Sequence, residues 1–134
     1  MNKKIQLVNE WFRKAENDLV SAEAIMKLSS PPTDTVCFHS QQCAEKYLKG
    51  FLVFYEVEFE KVHDIHELLD LCAQIDRSFE SLRNIADILN PFAVAIRYPD
   101  NNFFCEYSIE ETNESISLAK KVKCFVLEKL KDKL

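Results

Sequence analysis

One glycine in 134 residues, Gly50, constrains the fold more than any other feature of this chain. Sheets need tight turns at short intervals, and tight turns need residues that accept unusual backbone angles. With only four prolines beside that glycine, an all-β fold is disfavoured and long helices are the natural alternative. The apolar spacing agrees. Val8, Trp11, Phe12, Ala15, Leu19, Ala22, Ile25 and Met26 fall on one stripe of a 3.6-residue period. Residues 29–32 end that helix, because two prolines cannot continue its hydrogen-bond ladder. A second helix, with Asp34 as its expected cap, carries Cys37, Ala44, Tyr47, Leu48, Phe51, Leu52 and Tyr55 on its apolar stripe. Gly50 inside it costs about 1 kcal/mol relative to alanine, which a close helix–helix contact would explain.

Asp64 followed by Glu67 has the spacing of a capping box and opens a short helix, with Ile65, Leu68, Leu69, Cys72 and Ile75 inward. Ser78 is the expected cap of a further helix carrying Phe79, Leu82, Ile85, Ala86 and Leu89. Pro91 kinks or restarts that helix with Asn90 as cap, and Pro99 disfavours helical geometry at Tyr98, so it should stop near Arg97. Residues 56–62 and 100–107 read as loops. Ser108 and Glu111 form a second capping box for the last helix, which turns Ile109, Ile116, Ala119, Val122, Val126 and Leu130 inward. Its closing lysines, Lys129, Lys131 and Lys133, suit the negative end of the helix dipole. The reading is an all-α fold, an antiparallel up-and-down bundle of four long helices plus one short helix, forming a single domain over residues 1–134.

Charge and cysteine content narrow the function classes. A net charge of −5 disfavours indiscriminate binding to nucleic acid or anionic membrane. No apolar run approaches the roughly 20 residues of a membrane span, and the first residues lack the apolar stretch of a signal peptide, so a cytoplasmic location is expected. The five cysteines have no C-x-x-C spacing and an odd count, which fits reduced thiols serving mostly as small core residues.

The most informative candidate for function is Arg97, flanked by Tyr98 and Pro99 where an apolar helical run must stop. A guanidinium cannot lose its charge and reads phosphate or carboxylate with two prongs, so Arg97 is either a partner-binding device or a structural clamp, for instance to Asp18. On the second helix His39, Gln42, Lys46 and Lys49 share one face, with Gln41 and Glu45 beside them. That stripe is either solvated surface or a groove in which Lys46, Lys49 and Arg97 face a phosphate. Glu60 and His63 have half the spacing of a carboxylate-bridged dimetal site, but a single copy in a loop does not indicate a metal. His66, in the first turn of its helix, reads as a packed histidine or as part of the same site. No catalytic set and no cofactor-binding motif can be picked out.

Four landmarks occur in a familiar order: Ala15-Glu-Asn-Asp-Leu19, Gln41-Gln-Cys-Ala-Glu-Lys-Tyr-Leu-Lys49, His66-Glu-Leu-Leu69 and Arg97-Tyr-Pro99. Together they resemble the HEPN domain family, over about residues 8 to 130. The resemblance implies a helical bundle that forms a homodimer and acts beside a small nucleotidyltransferase as one half of a toxin–antitoxin pair. Catalytic members are metal-independent ribonucleases that use an arginine followed four to six residues later by a histidine. Here the positions at that distance from Arg97 hold Asn102, Phe103 and Phe104, and asparagine cannot shuttle a proton near neutral pH. The expectation is therefore a non-catalytic module that binds a nucleotide or a partner through Arg97, Tyr98, Lys46, Lys49 and His66. An RNA-cleaving toxin with a substituted site is the alternative.

Overall fold

The structure, a computed structural model, describes residues 2–95 and 107–134. All regular structure among them is helical: α1 (Lys3–Met26), α2 (Thr33–Phe54), α3 (Ile65–Ile75), a 3-10 turn (Arg77–Leu82), α4 (Arg83–Leu89), α5 (Phe92–Ala95) and α6 (Ile109–Lys129). The chain forms the expected all-α antiparallel bundle. α2 is its central column, with α1 and α6 packed along it and α3 and α5 closing the remaining sides. Fourteen of its 22 residues are buried, including every position from Tyr47 to Leu52.

Local chemistry sets the helix ends. Asn2 caps α1 by accepting the Lys4 N–H at 2.8 Å. α2 starts two residues earlier than a cap at Asp34 would require. The Pro32 carbonyl accepts the Val36 N–H at 3.2 Å, and Asp34 lies inside the first turn, where its Oδ1 accepts the Thr35 N–H. The fixed φ of proline already aims the chain into the helix, so no side-chain cap is needed. At the far end Glu56 adopts a left-handed φ of 57°. Its N–H reaches the Val53 carbonyl while that of Val57 reaches the Leu52 carbonyl, both at 3.0 Å, which is the pairing of a Schellman stop. Asp64 caps α3 as expected, accepting the N–H groups of His66 and Glu67. Ser108 and Glu111 complete the reciprocal capping box of α6.

The expected fourth long helix is divided. Asp76, not Ser78, is its cap, accepting both the N–H and the hydroxyl of Ser78. The first six residues then wind as a 3-10 turn before α4 begins. Asn90 does not cap a restarted helix. Its Oδ1 accepts the Ile65 N–H at 2.8 Å and its amide donates to Asp64, so it fastens the start of α3. The expected stop near Arg97 lies outside the described residues.

The apolar stripes meet in one core in which Phe51 stacks on Phe79 at 4.5 Å and Phe79 on Phe125 at 4.9 Å. Gly50 occupies the predicted close contact. A Cβ there would come within 2.3 Å of the Phe12 ring of α1. Between α2 and α6 the hydroxyls of Ser40 and Ser115 bond at 3.0 Å. Cys37, Cys43 and Cys72 are buried as expected, and burial pushes the thiols of Cys43 and Cys72 up to about 12. Cys124 is exposed, and Cys105 lies outside the described residues. Ile109, expected inside, is exposed at the first position of α6.

Candidate functional site

The polar stripe of α2 is not a solvated face. Gln41, Glu45 and Lys49 are buried at 0%, 2% and 5% exposure, and the stripe divides into two networks on opposite flanks of the helix. At the seam with α1, Asp18 is buried and accepts from two α2 side chains, Lys46 Nζ at 2.6 Å and His39 Nδ1 at 2.8 Å. On the other flank Glu45 binds Lys49 Nζ at 3.1 Å and His63 Nδ1 at 3.3 Å. Gln41 donates its amide to Glu45 at 3.3 Å and to the His63 carbonyl at 3.4 Å, and accepts from Gln42 at 2.7 Å.

The segment after α2 closes the second network. Val57, Phe59 and Val62 turn toward the bundle while Glu56, Glu58 and Glu60 face solvent, an alternation expected of extended chain lying on a surface. Phe59 meets Trp11 edge to face at 5.9 Å. Both rings lie over Lys49 Nζ, at 5.4 Å for Trp11 and 5.6 Å for Phe59. A buried ammonium thus has a carboxylate on one side and two aromatic faces on the other, which together offset its desolvation.

The two networks share a chemical plan. In each, one buried carboxylate holds a lysine ammonium and the Nδ1 of a histidine, cancelling the lysine's charge and orienting the imidazole. Among the described residues, Nε2 of His39 and of His63 has no partner. His63 therefore belongs to Glu45, and Glu60, the other member of its spacing motif, is exposed. No cluster of three or more histidine, cysteine, aspartate or glutamate side chains among the described residues could hold a metal ion.

His66 belongs to a third network. Its Nε2 bonds Asp87 at 2.7 Å and its Nδ1 meets Arg83 Nη1 at 3.2 Å. A guanidinium can only donate, so Nδ1 accepts and the ring proton sits on Nε2, pointed at Asp87. Arg83 also donates to the His66 carbonyl, to Asp70 and to Glu80. Glu80 and then Asp70 push the guanidinium's pKa further above its ordinary value. Nearby Asp64 is held below the usual carboxylate range. Burial pushes it up, but the Asn90 amide and the His66 and Glu67 N–H groups outweigh that.

Of the five residues expected to form one site, the structure thus places Lys46 at the α1–α2 seam, Lys49 under the Phe59 segment and His66 in the α3–α4 clip. Arg97 and Tyr98 lie outside the described residues. Periodicity did not reveal the partners Asp18, Glu45, His63, Trp11 and Phe59 as sites in their own right. The available signals were Glu45 and Lys49 four residues apart, and Asp18 at the edge of the α1 apolar stripe.

Relatives give the chain its family. The HEPN domain model matches residues 8–130. A protein named putative toxin MJ1304, from Methanocaldococcus jannaschii, is 29% identical, across 96% of this chain and 91% of its own length. The crystal structure of TT1696 from Thermus thermophilus superposes with a TM-score of 0.76 at 30% identity, covering 92% of this chain and 98% of that one. ST0689, described as an archaeal HEPN homologue, superposes with a TM-score of 0.74 at 30% identity and the same coverage. On the match of its sequence from residue 8 to 130 and on the shared bundle, this chain belongs to the HEPN domain family.

Proposed function

We propose that this chain is a non-catalytic, toxin-type HEPN module that forms a homodimer and works with a small nucleotidyltransferase, taking a nucleotide or RNA phosphate on Arg97 with Tyr98 as a flat surface for the base. The observation that carries this reading is the use of the histidines. The chain has three, and each is tied to a carboxylate within its own network: His39 to Asp18, His63 to Glu45 and His66 to Asp87. With Asn102, Phe103 and Phe104 at the positions where a proton carrier would follow Arg97, cleavage lacks the histidine that catalytic members place there. Lys46 and Lys49 are neutralised by Asp18 and Glu45, which leaves Arg97 as the proposed cation for a phosphate.

Titration calorimetry with ATP, GTP and a short RNA, together with co-purification alongside a nucleotidyltransferase encoded beside this protein, tests the reading. Heat or co-purification that Arg97→Ala abolishes without lowering the melting temperature is the expected result. Absence of heat with every ligand, together with partner binding indifferent to Arg97→Ala, removes the site.

A second reading, an RNA-cleaving toxin, is favoured by one observation: Asp18 holds His39 through Nδ1 at 2.8 Å, and Nε2 has no partner among the described residues, as an acid–base group requires. Growth arrest on expression, with RNA breakage lost in both Arg97→Ala and His39→Gln, would establish it in place of the first.

A further inference from the structure

The segment that crosses Lys49 leaves part of its own backbone unanswered. Glu56 turns the chain out of α2 with its left-handed φ of 57°. Val57 to Glu60 then continue outside any helix, their side chains alternating between bundle and solvent as in a strand. The run ends where the Val62 N–H closes on the Glu60 carbonyl at 2.7 Å. Among the described residues, the N–H groups of Glu58, Phe59 and Glu60 and the carbonyls of Val57, Glu58 and Phe59 have no hydrogen-bond partner. Unpaired extended chain is a template on which another strand can add.

The side chains say what kind of strand. Glu56, Glu58 and Glu60 are exposed and none has an ion-pair partner among the described residues, whereas Glu10, Glu16, Glu23, Glu45 and Glu80 each hold a lysine or an arginine. Beside the row lies a depression of about 440 Å³, lined by Val53, Val57 and Phe59 together with the three glutamates. Lys61, also exposed, sits in the turn where the run ends.

We propose that this segment is a docking edge for an extended, basic segment of a partner protein, one that alternates lysine or arginine with apolar residues. The proposal is independent of Arg97 and its ligand. Two residues of extended chain cover about 6.8 Å, so basic side chains at alternate positions of an added strand fall opposite Glu58 and Glu60. The intervening side chains fall on the opposite face, where Val57 and Phe59 point and the depression offers apolar lining. Opposite charges facing each other on neighbouring strands attract, and like charges repel. A second copy of the same segment would therefore set carboxylate against carboxylate, and a nucleic acid would bring phosphates to the same row. Phe59 is already fixed on Trp11, so little ordering is asked of this side of the contact.

Fluorescence anisotropy with short labelled peptides tests this on the full chain. One peptide alternates lysine and valine; a second has the same composition with the lysines and valines in separate blocks. The wild type is expected to bind the alternating peptide more tightly than the blocked one. Glu58→Lys combined with Glu60→Lys should weaken that binding about tenfold or more, because two attractive cross-strand pairs become repulsive. Glu110→Lys combined with Glu114→Lys makes the same change in net charge at exposed positions of α6, and should leave binding within about twofold of the wild type. Circular dichroism should be unchanged in both double variants, since all four side chains are exposed. An alternating peptide N-methylated at every second backbone nitrogen should bind poorly, because it cannot complete the ladder. Three results overturn the proposal: no binding of the alternating peptide by the wild type, equal binding of the two peptides, or equal weakening in the two double variants. The last two would reduce the attraction to the net charge of −5 and leave the edge without a role.

Discussion

Glu45 and Lys49 carry opposite charges one helical turn apart in the interior, and each is stable there only because of the other. Removing one member of such a pair strands the remaining ion, at a typical cost of 3–5 kcal/mol. Lys49→Met is accordingly expected to lose about 3 kcal/mol in urea unfolding. His63 and Gln41, which also hold Glu45, keep the loss at the lower end. The double variant Glu45→Gln, Lys49→Met should recover part of it, since no ion is left unpaired, and a double-mutant cycle reads that coupling directly. Glu56 poses the opposite case. It is a side-chain-bearing residue in the left-handed conformation that ends α2, and its carboxylate adds to the negative end of the helix dipole. Glu56→Gly should therefore stabilise the protein by about 1 kcal/mol, an unusual direction for a glycine substitution. A lower urea midpoint in that variant would contradict the geometry of the stop. Neither effect can be seen in helix periodicity. The burial of Lys49 depends on a loop folding back to place Phe59 on Trp11, and that contact spans far more sequence than a 3.6-residue period covers.

At the scale of elements, what was legible followed local rules. Capping pairs at Asp64 and Ser108, the double proline after α1 and the apolar stripes each depend on residues within one or two turns, and they located α1, α2, α3 and α6. The stretch from Ser78 toward Arg97 reads as a helix kinked or restarted at Pro91; the restart is present as α5, but the entry is a 3-10 turn although its apolar stripe is helical. Asp76 and Ser78 are both acceptable caps, and the choice between them is made by α6. Lys129 Nζ reaches Asp76 at 2.9 Å, and that bond, followed by those of Ser78, draws the carboxylate from 3.8 down to about 2. A depressed pKa means stability that is present above the unfolded value and lost as pH falls toward the folded one. This clip should hold fully above about pH 4 and fail progressively between about pH 4 and pH 2. Asp76 is one-third exposed, and after solvent screening its contribution is about 1 kcal/mol. Unfolding measured across that window should fall more steeply in the wild type than in Asp76→Asn, with the two proteins converging at the acid end.

Across the whole molecule, the residues that hold the fold and those proposed to act are separable, and Asp18 shows why. The sequence offered Asp18 as a structural partner for Arg97, in which case the arginine would be a clamp and its removal would unfold the chain. In the structure both carboxylate oxygens of Asp18 are engaged, Oδ1 by His39 and Oδ2 by Lys46, and Lys46 balances its charge. An arginine would find spare lone pairs on those oxygens, but it would add a second fixed cation to a carboxylate whose charge Lys46 already balances, with little gain. The α1–α2 seam therefore depends on Asp18. Asp18→Ala leaves Lys46 without its counter-ion beside the core and should lower the melting temperature by roughly 10 °C, a loss of about 2–3 kcal/mol in a chain of this size. Arg97→Ala should melt within about 2 °C of the wild type. Melting the two variants side by side separates the roles: a large drop for Arg97→Ala would return that guanidinium to the scaffold, and a small one for Asp18→Ala would mean the seam holds without its carboxylate. The two proteins can be compared without knowing the ligand, because melting reads only what each charge contributes to the bundle itself.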